Sequence, residues 1–476
     1  MKERKKIRYL FKNIALLSIS QFSTKLLSFL LVPMYTSILT TEQYGTYGLY
    51  TTTVNLLLPI VTLDISEAAL RFALDKGKRE TDVFSLSLFY ILIGNGIVAL
   101  LSITNHVFGI IKVLDSYWYY LIIIFALSSL LNLLSYFVRG IECVKSLAIS
   151  GVIGTIICLL LNILFLVKFK WGIEGYFWAN ILGWTVQIIY LSVDCKIWKF
   201  IHFKFNKKEL RKEMLDYSIP LIGTRVAWWI TDASDRYVVT WISGIAANGI
   251  YSVAYKIPSI LNIIQTIFNQ SWAISAVKEY DDEDGSGFFS EMYSMYSMLM
   301  IVFCSLILIC NKVLAGLLYA REFYFAWKYV PFLLVSVVMG GMSGYLEGIF
   351  SAVKASKICF LSTMIGAGFN IILNVVLVIP YGPIGAAFAT FVSSVIILII
   401  RIIAIRKYIK LKMNLAELLI SNILLIIQAF SFSYISDSFM LYFIQIILFI
   451  SILIVYRKKI IKYIDMVARK IFRKMN

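Results

Sequence analysis

The chain has 476 residues, of which 60% are hydrophobic and only 15% charged, with a mean hydropathy of +0.82. A soluble domain of that length needs far more polar surface, so the composition excludes one and points to an integral membrane protein. The net charge of +18 then reflects either nucleic-acid binding or a membrane surface, and its distribution decides which.

Taken in chain order, fourteen apolar stretches are long enough to span hydrocarbon as helices: 13–39, 46–73, 83–104, 116–138, 147–167, 176–193, 218–241, 249–277, 288–310, 327–350, 359–379, 385–400, 416–434 and 440–456. The stretches 46–73 and 218–241 carry charges. The basic run KERKKIR is followed by an apolar stretch that holds Lys25 and lacks a small-residue cleavage site, so it reads as a first helix rather than a secretory leader. With the N-terminus inside, and Arg71 counted with the loop it borders, inner segments hold 35 of the 45 Lys and Arg and outer loops hold 5. Retention of positive charge in the cytoplasm therefore predicts that both termini are cytoplasmic. Basic tails at an anionic membrane surface account for the net charge, and no nucleic-acid partner is needed.

Outside the helices the longest internal segment is 194–217, DCKIWKFIHFKFNKKELRKEMLDY, basic with interspersed aromatics. It is too short for a catalytic domain and reads as an amphipathic cytoplasmic linker. In YDDEDGSGFFSE, Asp282, Asp284, Gly285 and Glu291 fit four positions of a calcium loop, but Tyr280 stands where the first ligand belongs, so a solvated loop is expected. The Asp282-Glu283-Asp284 match to a glycosyltransferase D-x-D lacks a nucleotide-binding domain around it. Six Cys without C-x-x-C spacing and two isolated His, His106 and His202, give neither a disulfide framework nor a metal site.

The chain repeats itself. WGIEGYFWAN (Trp171 to Asn180) returns 210 residues later as YGPIGAAFAT (Tyr381 to Thr390), each opening an even-numbered helix. YGTYGLY (Tyr44 to Tyr50) parallels NGIYSVA (Asn248 to Ala254) at an offset of 204, and RGIECVK (Arg139 to Lys145) parallels EGIFSAVK (Glu347 to Lys354) at 208 to 209. Ordered matches at a slowly drifting offset indicate duplication. Six helices separate the copies, so the halves share one topology, a parallel repeat of the kind that places a transporter cavity between two bundles. The glycines are expected to make tight turns and close packing. The fold expected is an all-α integral membrane protein of about 14 transmembrane helices, two parallel six-helix bundles at 1–193 and 218–400 joined by the linker 194–217, with two further helices and a basic tail in 401–476.

The six-six-two helix pattern, YGTYGLY, SDRYVVTWISGIAANGIYSVAYKIP across helices seven and eight, and YGPIGAAFAT together resemble a Wzx-type polysaccharide repeat-unit flippase. That is the oligosaccharide-flippase branch of the superfamily of MATE exporters and lipid II flippases. The resemblance implies a MATE-like fold and transport of an undecaprenyl-diphosphate-linked oligosaccharide across a bacterial cytoplasmic membrane, for O-antigen, capsule or exopolysaccharide. It implies no catalytic residue and no cofactor, and leaves coupling to a proton or sodium gradient open. The partners it implies are the lipid-linked oligosaccharide, membrane lipids and other polysaccharide-assembly proteins. Members of the branch often carry an Arg before the first Y-G turn; here MYTSILTTEQYG has none.

Ionisable groups at membrane depth are costly and should face a cavity or a partner. They are Lys25 in helix one, Asp64, Glu67 and Arg71 in helix two, Arg225, Asp232, Asp235 and Arg236 in helix seven and Lys256 in helix eight. The functional reading makes Lys25, Arg225, Arg236 and Lys256 a cationic lumen for a diphosphate headgroup, with Asp64, Glu67, Asp232 and Asp235 as coupling or ion-pair acids. The bland reading is i, i+4 pairing of Asp232 with Arg236 and of Glu67 with Arg71. A small-molecule exporter is disfavoured by the two extra helices and the cationic lumen. A membrane-embedded polymerase or ligase is disfavoured by the short outer loops.

Overall fold

The computed structural model describes residues 25, 29–75, 79–202, 208–278, 281, 283–284, 287–353, 355–435 and 438–475. Most of the first expected helix therefore lies outside the described residues, as do Tyr280, Asp282 and Gly285. Pro33 opens α1 (Val32–Ile38) and Thr40 opens α2 (Thr41–Val61). The Thr40 hydroxyl accepts from the Gln43 amide at 3.2 Å while the Gln43 side chain accepts from the Thr40 amide at 3.1 Å, a reciprocal cap. The stretch 46–73 is not one helix. It breaks after Val61, where Leu63 and Asp64 take φ of 55° and 46°, and resumes as α3 (Ile65–Ala73).

The helices continue as α4 (Glu80–Phe108), α5 (Trp118–Gly140), α6 (Val144–Asn162), α7 (Gly172–Asp194), α8 (Lys208–Ser243), α9 (Ile245–Ala254), α10 (Ser259–Lys278), α11 (Phe288–Ile309), α12 (Asn311–Leu318), α13 (Val330–Ala352), α14 (Ser356–Tyr381), α15 (Pro383–Ile405), α16 (Leu415–Tyr434) and α17 (Ser438–Met475). Among the described residues nine helices are long and apolar enough to cross a membrane. The other expected spans either lie outside those residues or are the broken pair α2/α3, the Trp- and Tyr-rich α7, the charged α8, and α9/α10, interrupted at 255–258. Each dilutes or divides its apolar run.

By contacts the chain forms two compact units, 1–252 and 253–476. In the first, α8 packs on α2 and α3, and α5 packs on α3, α4 and α7. Residues 208–217, expected in a separate surface linker, are instead the first turns of α8. Leu210 and Met214 are buried with Phe137, Leu191 and Ile197. Their amphipathic face thus meets the bundle. In the second, α15 packs on α13 and α14, and α17 on α11 and α16. Asp284 caps α11, accepting from the Phe289 and Ser290 amides at 3.0 Å each, which occupies the carboxylate that the calcium-loop match had considered as a ligand.

The repeated glycines divide their labour alike. Gly172 and Gly382 have φ of 60° and 61° at the turns into α7 and α15. Gly175 and Gly385 sit one turn further on, where a β-carbon would meet Phe165 in the first case and the Leu377 carbonyl in the second. One glycine turns the chain; the next lets the hairpin close.

Candidate functional site

A group of polar side chains in the first unit lies between α8 and the broken second span. Arg225 of α8 reaches Asp64 at 3.5 Å, pairs with Glu67 and donates to the Tyr136 hydroxyl at 3.3 Å. The break makes this possible. Asp64 stands in the left-handed region at the head of α3, buried, and Glu67 follows one turn later. The guanidinium is about half exposed, its side chain retaining 45% of its accessible surface.

Further along α8, Trp229 Nε1 donates to the Thr52 carbonyl at 2.9 Å, Arg236 Nη1 to the Thr52 hydroxyl at 3.1 Å, and the Tyr237 and Thr53 hydroxyls meet at 2.5 Å. Asp235 is fully buried and accepts from the Tyr251 hydroxyl at 2.5 Å. A row of polar contacts therefore joins about two turns of α8 to Thr52 and Thr53 of α2.

These partners correct the helical-spacing expectations. Among the described residues neither Glu67 and Arg71 nor Asp232 and Arg236 form an ion pair. Arg71 and Asp232 are exposed, while Glu67 binds Arg225 and Arg236 binds Thr52. A same-helix i, i+4 pair is worth only a few tenths of a kcal/mol, so the partners that packing places across the helix interface decide the contacts made. Arg225 is thereby part of an acid-rich cluster rather than a free lumen cation. Lys25 is helical and exposed, with its neighbours outside the described residues. Lys256, in the second unit, lies half-buried in the turn 255–258, and among the described residues its side chain makes no hydrogen bond or ion pair.

Helical spacing gave no sign of Thr52, Thr53 or Tyr136. It also missed Arg401, 1% exposed, whose guanidinium donates to the Ser343 carbonyl at 3.0 Å, Glu347 at 2.9 Å, Ser362 at 3.0 Å and Thr363 at 3.1 Å. That network ties α15 to α13 and α14 and leaves little of the guanidinium for a ligand. Its one sequence signal is the acid of EGIFSAVK, unusual in so apolar a helix. Among the described residues no cluster of three or more His, Cys, Asp or Glu could hold a metal ion.

The sequence model of a family described as "Polysaccharide biosynthesis protein" matches residues 10–277, more than half of the chain. The chain belongs to this family of Wzx-type flippases. The match takes in Arg225, Asp64, Glu67 and the row along Thr52. No curated protein matches in sequence. In structure the chain is similar to a lipid II flippase, MurJ, in an inward closed conformation, at 16% identity and a TM-score of 0.71, covering 94% of this chain and 100% of that one. It is also similar to an inward-facing multidrug resistance MATE transporter of the MOP superfamily, at 15% identity and 0.63, covering 82% and 97%. A third likeness is a MOP superfamily transporter from Pyrococcus furiosus whose binding pocket has reverse polarity, at 14% identity and a TM-score of 0.55, covering 83% of this chain and 95% of that one. The family member described here has that all-helical transporter fold, and its family and structural neighbours are transporters and flippases rather than enzymes.

Proposed function

We propose that this chain flips an undecaprenyl-diphosphate-linked oligosaccharide from the inner to the outer leaflet of the cytoplasmic membrane by alternating access, with both termini cytoplasmic. The observation that carries the reading is the polysaccharide-biosynthesis family match across the half of the chain that holds the α2–α8 polar row. A fold like that of a lipid II flippase supports it, since such a fold accommodates a lipid-linked headgroup.

In this reading Lys25, Lys256 and Arg236 supply cations for the diphosphate, because ammonium and guanidinium groups form charge-assisted hydrogen bonds with phosphate oxygens. Arg225 is the exchangeable member. Held by Asp64 and Glu67 in this conformation, it becomes available to phosphate whenever protonation or movement of α3 releases it, which gives those acids a coupling role. Asp232, exposed on α8, is the further acid a coupling ion could reach; Asp235 holds Tyr251 instead. The test is complementation of strains that lack their native flippase and make known repeat units. Return of surface polymer supports the reading; failure across the panel, with the chain inserted, refutes it.

A further inference from the structure

The second unit contains a cavity of about 570 Å³ at the ends of α13, α14, α15 and α16 that the charge pattern puts outside. This volume lies within the usual range of small-molecule sites. Its wall is a herringbone of phenylalanines: Phe332 meets Phe388 at 5.4 Å and 86° and Phe430 at 5.1 Å and 78°, and Phe388 meets Phe430 at 5.8 Å and 68°. None of the residues expected to bind substrate lines it.

The mouth is different in kind. Tyr381 and Tyr434 are largely exposed there. Beside them Lys328 holds its ammonium 5.3 Å from the Phe325 centroid and 5.9 Å from that of Trp327. Among the described residues that line the cavity Lys328 is the one cation, and none is a carboxylate. Tyrosine, tryptophan and lysine at helix ends are the groups that sit at headgroup level in a bilayer.

We propose that this cavity seats one anionic phospholipid, an acyl chain among the phenylalanines and the phosphate on Lys328. The edge-to-face rings present few open flat faces on which a sugar could stack, and hydrogen-bonding groups are concentrated at the mouth, so an oligosaccharide is a poor occupant. A diphosphate carrier would bring at least two negative charges to a single ammonium. A phosphodiester lipid brings one, and the charges match.

Native mass spectrometry of the full chain in detergent, titrated separately with phosphatidylglycerol and with undecaprenyl diphosphate, tests this. One phosphatidylglycerol should bind more tightly than the rest. Lys328→Ala should weaken it about tenfold, the order expected for one lost charge-assisted contact, and Phe388→Trp, which narrows the cavity and breaks the herringbone, should weaken it as well. Lys328 is exposed, so its variant decides the matter even if Phe388→Trp fails to fold. Unchanged phosphatidylglycerol binding in Lys328→Ala, or a loss in that variant of bound undecaprenyl diphosphate rather than of phosphatidylglycerol, overturns the proposal.

Discussion

Gly45 and Gly249, equivalent positions of the two repeats, pack backbone against backbone: a β-carbon on Gly45 would stand 2.9 Å from the Gly249 nitrogen, and one on Gly249 would fall on the Thr41 carbonyl. Asn248 donates to the Gly45 carbonyl at 3.2 Å beside them, and a β-carbon on Gly48 would lie 3.0 Å from the Ser252 hydroxyl. The Y-G and N-G motifs, equivalent by duplication, are therefore in direct contact.

Gly249→Ala should lower the stability of the protein in detergent by about 1–3 kcal/mol, the usual cost of overpacking, because the opposing atoms are backbone and cannot rotate away. Gly96→Ala, in a helix with nothing near the new carbon, should be neutral or stabilising by up to about 1 kcal/mol. Thermal melts of the two variants check this; equal melts would show that the contact can open freely.

Arg225→Gln should destabilise the chain by about 1–2 kcal/mol, less than for a fully buried pair because the guanidinium is half exposed. Much of that loss is the buried Asp64 charge left without its partner, so adding Asp64→Asn should recover it. A double variant no more stable than Arg225→Gln would contradict the pairing.

Arg236 should couple to Thr52 more strongly than to Asp232, with which it forms no ion pair. In double-mutant cycles of stability, Thr52→Ala with Arg236→Gln should depart from additivity by about 0.5 kcal/mol or more, and by more than Asp232→Asn with Arg236→Gln does. The reverse pattern would restore the same-helix pair that spacing suggests.

Arg401→Ala should be the most damaging of these changes, about 3–5 kcal/mol, since it strips a buried network of its donor. Arg401→Lys should rescue little of it, because a single ammonium cannot reach Glu347, the Ser343 carbonyl, Ser362 and Thr363 together. Accumulation of the protein in membranes reads both; a Lys variant at normal levels would show that charge alone suffices.

What was legible in the sequence follows from what repeats or averages. Spans such as 83–104 and 288–310 announce themselves because some 20 apolar residues in a row have few other uses. The paired glycines were legible because duplication wrote each of them twice. The break at Leu63 and Asp64 was not, since a hydropathy window averages through a three-residue turn. Nor were the partners of Arg225 and Arg401. Helical periodicity sees neighbours three and four residues away, whereas Asp64 lies 161 residues from Arg225 and Glu347 lies 54 from Arg401. Only packing brings such groups together.

The central claim is that the chain moves a lipid-linked oligosaccharide between leaflets, and a leaflet-resolved assay of the purified protein addresses it most directly. Liposomes carrying undecaprenyl-diphosphate-linked repeat unit, with or without the chain, are exposed to an impermeant enzyme that trims the glycan. Without transport only the outward-facing half of the substrate can be trimmed. The account predicts that the wild-type chain carries trimming to near completion while Lys256→Ala stays near one half. Trimming that stops at one half with the folded wild-type chain, across repeat units of differing sugars, would contradict it.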